Sequence, residues 1–101
     1  MFNLPSSVLN EIERRFGSRS SSVVEQLQVL ELPLVTSARL HARIVVAILW
    51  RTGEKVDSLE EAIAAAETDW RDLLVGEGLA DGDWPLKIAE SGIDMADWQE
   101  A

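Results

Sequence analysis

Apolar side chains recur every three to four positions along nearly the whole chain. No stretch alternates polar with apolar over a useful length, so the pattern predicts an all-α protein. In the first segment, from about Pro5 to Phe16, the residues Val8, Leu9, Ile12 and Phe16 share one face, and Gly17 stands where a helix closes. Residues 18–22 read as a polar turn, after which Ser22-Val23-Val24-Glu25 has the spacing of a capping box. The second helix then runs to about Glu31, with Val23, Val24, Leu27 and Leu30 inward, and Pro33 stops it. Thr36 or Ser37 is expected to cap a third helix that ends at Thr52-Gly53. Its segment from Ile44 to Trp50 is apolar on every side, which marks a central helix with neighbours all round. Asp57-Ser58-Leu59-Glu60 opens a fourth helix, with Leu59, Ile63, Ala66, Trp70 and Leu73 inward and Glu60, Glu61, Glu67 and Asp72 outward.

The second half adds a repeat. Asp-Trp occurs at Asp69-Trp70, Asp83-Trp84 and Asp97-Trp98, each copy 14 residues after the last. Gly78-Leu79 and Gly92-Ile93 precede the last two copies. In each, a glycine can take a left-handed conformation while the apolar residue after it folds back onto the last helical turn. Leu79 should then meet Leu74, and Ile93 should meet Ile88. Asp81 or Asp83 is expected to cap a short fifth helix, docked through Trp84, Leu86 and Ile88. Asp94 is expected to cap a last short helix carrying Trp98. A unit of 14 residues is shorter than known solenoid repeats, whose periods are about 20–50 residues, so it reads as a stop-and-restart turn. Asp69-Trp70 reads as a core position on an amphipathic helix. The expected architecture is a compact bundle of four main helices plus one or two short C-terminal helices, forming one domain over residues 1–101.

Composition narrows the function classes. There is no cysteine, which removes disulfides and thiolate metal sites. No apolar run approaches the roughly 20 residues that cross a bilayer, and Met-Phe-Asn-Leu-Pro lacks the basic start of a signal peptide; a cytoplasmic protein with no membrane role is expected. The net charge of −9 is unevenly spread. Residues 1–52 hold six Arg and four Glu, whereas residues 53–101 hold three basic and fourteen acidic side chains. Direct nucleic-acid binding needs clustered Lys and Arg, and is not expected. An acidic half can serve solubility alone, or can steer a basic partner.

Candidate chemistry is sparse. His41 has Ser37 and Val45 four positions away and no metal-ligating neighbour, so it reads as a structural histidine. Gly76-Glu77-Gly78 follows a helix within acidic surroundings and fails as a phosphate loop. Asp81-Gly82-Asp83 opens like a calcium loop, but the twelfth position is Gly92 where a glutamate is required. No cofactor, metal or catalytic residue is expected. The tryptophans are the better lead: Trp50 and Trp70 lie on core faces, while Trp84 and Trp98 stand at helix starts where packing is less compulsory.

The run Asp69-Trp-Arg-Asp-Leu-Leu-Val75, with Gly78-Leu-Ala and Asp83-Trp-Pro85, resembles a group of small, uncharacterised bacterial helical proteins. The likeness covers chiefly residues 59–86. It implies a bacterial origin and a stand-alone small protein, and carries no site. The reading from all these features is a non-catalytic interaction module. It would use its acidic C-terminal half to bind a protein partner or a second copy, with Asp83, Trp84, Asp97 and Trp98 as candidate contact residues. The alternative is an acidic, antitoxin-like inhibitor that imitates nucleic-acid charge on a basic partner.

Overall fold

Six consecutive residues of one helix, Ile44 to Leu49, are completely buried, and the rest of the chain is arranged around them. The computed structural model describes residues 3–53 and 58–98. Within these it contains α1 (Ser6–Phe16), α2 (Ser20–Gln28), α3 (Ala38–Thr52), α4 (Leu59–Gly76) and α5 (Trp84–Glu90). No strand occurs among the described residues, and no helix there is long and apolar enough to cross a membrane. The core joins one face of every helix: Val8, Ile12 and Phe16 from α1, Val23 and Leu27 from α2, and Leu59, Ala62, Ala66 and Leu73 from α4, with Ile88 from α5. The most extensive packing is between α3 and α4.

Local signals place several boundaries correctly. Gly17 and Gly53 close α1 and α3 with φ of 54° and 65°, a region where a side chain would be strained. The Ser37 hydroxyl accepts from the Leu40 amide at 3.1 Å and caps α3. At the end of α4, Gly78 has φ 78°, and the Leu79 amide reaches back to the Leu74 carbonyl at 2.8 Å. That is the expected glycine stop, and it buries Leu79 completely. Gly92 is also left-handed, and Ile93 after it is buried.

Other expectations need correction. Residues 18–22 do not form a turn between separate helices, because a single 3-10 turn over Gly17–Arg19 leads straight into α2. Ser22 therefore sits inside α2, bonded to Gln26, and no capping box forms there. The second helix ends at Gln28, ahead of the expected Glu31, and Pro33 lies in the loop beyond it. Ser58 precedes α4 without a side-chain cap, while Asp57 lies outside the described residues. Trp50 is only half-buried, and Leu86, expected to help dock α5, is 59% exposed. Asp94 caps no helix; its carboxylate accepts from the Ala96 amide at 2.9 Å in a tight turn that carries the chain to Trp98. Of the one or two short C-terminal helices expected, α5 is the one that forms among the described residues.

The least anticipated feature is inside α4. Asp69 has φ −157° and ψ 87°, which breaks the helical path, and its carboxylate accepts from the Asp72 amide at 3.2 Å. Aspartate offers the backbone this alternative to a helical hydrogen bond, and the helix restarts behind it. Asp69-Trp70 is thus a restart as well as a core position.

Candidate functional site

Helix α1 begins without local help. Pro5 occupies the capping position and has no side-chain acceptor, and the first turn contains no acidic residue. The cap comes from the other end of the chain. Both carboxylate oxygens of Asp97 are used, Oδ2 by the Ser7 amide and Oδ1 by the Ser7 hydroxyl, each at 3.0 Å. The same hydroxyl accepts from the indole Nε1 of Trp98 at 3.1 Å, so Ser7 both gives and receives. Partial burial pushes the Asp97 carboxyl upward in pKa. Hydrogen bonds from the Ser7 amide and hydroxyl and from nearby backbone amides outweigh that, and its pKa lies below the ordinary value.

Trp98 is 5% exposed. Its ring lies 5.9 Å from that of Trp84, tilted by 41°. Trp84 in turn carries two guanidinium groups from α3, Arg39 at 4.9 Å and Arg43 at 4.8 Å from the ring centre. The structure therefore brings Trp84, Asp97 and Trp98 together, as a clasp that binds the C-terminal segment to α1 and α3. Asp83 stands at the start of α5 and lies 3.7 Å from Lys87; its side chain caps nothing. Trp84 is half-buried and Trp98 buried, so packing explains both rings.

The clasp borders a small cavity of about 160 Å³ between residues 3–6, Ala38, Arg39 and Asp97. Its two charged side chains already have engagements, Arg39 on Trp84 and Asp97 on Ser7. No group of three metal-ligating side chains occurs among the described residues.

Sequence reasoning did not foresee what the scattered basic residues do. The last carbonyls of a helix have no partner within it, and cations are favoured at that end. Here those carbonyls receive donors from distant residues. Arg15 donates to Leu49 and Gly53 at the end of α3, at 3.0 and 3.2 Å, while Glu11 holds its Nε at 2.6 Å. Arg43 donates to Leu79 and Lys87 to Gly78 beyond the end of α4, each at 2.8 Å. His41 Nε2 meets the Leu27 carbonyl in the last turn of α2 at 3.0 Å. Burial lowers the His41 pKa, against an opposing pull from that carbonyl, so the imidazole is neutral with Nε2 as the donor. A helix end lacking its own polar cap was the only sequence signal for any of these contacts.

The anions are disposed differently. Glu60, Glu61, Glu67, Asp69, Asp72, Asp81, Asp83, Glu90, Asp94 and Asp97 are all exposed, and only Glu77 of the described acidic residues after Gly53 is half-buried, paired with Arg51 at 3.1 Å. The loop between α2 and α3 is seated on the acidic side of α4. The Glu31 amide donates to the Glu67 carboxylate at 3.0 Å, and Trp70 Nε1 donates to the Pro33 carbonyl at 2.9 Å. Arg71 stacks over the Trp70 ring at 4.4 Å. The chain matches no protein-family model, and neither a curated protein nor a solved structure is significantly similar to it.

Proposed function

We propose that this chain is a small, non-catalytic bacterial interaction protein of the cytoplasm whose acidic second half binds a protein partner bearing Lys and Arg. One observation carries the reading: the charges are sorted. Four of the eight described cations, Arg15, Arg39, Arg43 and Lys87, are drawn inward onto helix carbonyls and tryptophan rings, and Arg71 is the one exposed cation described after residue 58, where ten carboxylates stay on the surface. A surface of one sign steers an oppositely charged partner and repels a second copy of itself. The carboxylates spread over α4, the turns and α5, which favours a broad acidic field over a phosphate-like row.

On this reading Trp84, Asp97 and Trp98, engaged in the clasp, support that surface, and the exposed carboxylates, Asp83 among them, make the contact. The test is titration of the folded protein with a fluorescent oligolysine peptide at rising salt. Tight binding that weakens steeply with salt, and at least tenfold on replacing Glu60, Glu61 and Glu67 with Gln, is expected. Absent or salt-insensitive binding overturns the proposal.

A further inference from the structure

Leu34 is the most exposed large hydrophobic residue described, at 78%, and it is also the only non-glycine residue described with positive φ, 66°. An L-residue with a Cβ is disfavoured in that region, and glycine or asparagine takes it more readily. A leucine there gains nothing from burial and suffers backbone strain. It is nevertheless held firmly. The Trp70 indole grips the carbonyl of Pro33 immediately before it, the Glu67 carboxylate grips the Glu31 amide, and the Val35 amide reaches Leu32 at 3.3 Å. Leu32 and Val35 on either side pack against the core, so the turn presents Leu34 outward from a fixed base. Strain of this kind concentrates where a surface is shaped for contact, and a preordered anchor loses little entropy on binding.

What surrounds Leu34 selects the occupant. A shallow groove of about 430 Å³ is lined by Glu31, Leu32, Pro33 and Glu67, two apolar and two acidic residues, and Pro33 is the chain neighbour of Leu34. A second copy of this chain would bring a net charge of −9 against the same sign. We infer that Leu34 is the apolar anchor of a docking site for a basic amphipathic segment, whose apolar side chains lie over Pro33 and Leu34 while its Lys or Arg residues pair with Glu31 and Glu67. This rests on the acidic-face reading above and gives that face its apolar centre.

Two peptides of equal positive charge separate the claims: an oligolysine, and an amphipathic helix-forming peptide of Lys and Leu. The wild-type protein should bind the Lys-Leu peptide at least tenfold more tightly. Leu34→Gly and Leu34→Asn should remove that excess and leave oligolysine binding unchanged. Both variants suit positive φ, and an undiminished Tm will show that the fold is intact. Equal affinity for the two peptides, or a preference that survives both variants, overturns the anchor while leaving the acidic face standing. Failure of both peptides to bind removes the two readings together. A solution mass of two chains that drops to one in Leu34→Gly would also overturn it, in favour of self-association.

Discussion

The Asp-Trp pairs at 69–70 and 97–98 use the same two side chains for the same two jobs over very different reaches. In each, the aspartate accepts a backbone amide at a helix start, and the tryptophan buries its ring and donates its indole N–H. Asp69 serves Asp72, three residues on, and Trp70 serves Pro33, 37 residues back in the loop between α2 and α3. Asp97 serves Ser7 from 90 residues away, and Trp98 donates to the same serine. The dipeptide is thus a cap joined to a plug, and the identity of its partner is left to the fold. Asp83-Trp84 keeps neither job in full: its carboxylate faces Lys87, and its ring is half-buried beneath Arg39 and Arg43.

Loss of a buried tryptophan ring should have the largest effect. Trp70→Ala opens a cavity against the core and deprives the Pro33 carbonyl of its donor. About 3–5 kcal/mol of global stability should be lost, measured by urea denaturation. A loss under about 1 kcal/mol would mean that the ring contributes little. Trp98→Ala should cost less, about 2–3 kcal/mol, because it detaches a terminal segment and leaves the α3–α4 core in place. Hydrogen exchange is the measurement: the Ser7 amide should lose protection while the amides of α3 keep theirs. Equal loss at both would make the clasp part of the global folding unit.

The caps give smaller effects. Asp97→Ala should cost about 1–2 kcal/mol near neutral pH, since nothing local replaces it at α1, and Asp69→Ala about 1 kcal/mol or less, since the Asp72 amide can turn to water. The Asp97 contribution is also pH-dependent. Its folded pKa is lowered, so the unfolded carboxyl takes up its proton first as acid is added. The stabilisation is complete above the ordinary value of 3.8 and disappears as pH falls through the lower folded value. A thermal melting series from pH 6 to pH 2 should show a shallower decline for Asp97→Asn than for the parent. Parallel declines would place the acid sensitivity elsewhere.

What could be read in advance follows the same division. What was legible closes within a few residues, namely the apolar faces, the Ser37 cap, the glycine stops and the fold-back of Leu79 on Leu74. Their physics depends on neighbours three to five positions away. The equally local capping box at Ser22-Glu25 and the helix cap at Asp94 nevertheless did not form. The clasp and the donors on helix carbonyls depend on partners that helical spacing does not specify, whereas the break at Asp69 closes locally on Asp72 and leaves the apolar spacing of the helix unchanged. The turn at Leu34 was hidden for another reason, because leucine carries no preference that announces a positive φ.

The clasp also changes how the chain can be pictured. With Ser7 and Trp98 in contact, the described backbone is almost a ring, joined by three hydrogen bonds in place of a covalent link. Holding together segments 90 residues apart opposes roughly 4–5 kcal/mol of chain entropy if the ring is closed from scratch. Once the ring exists, the point at which it is cut becomes a matter of choice. The exposed turn at residues 80–83 is an alternative opening, and a chain permuted there would meet the same core by a different route.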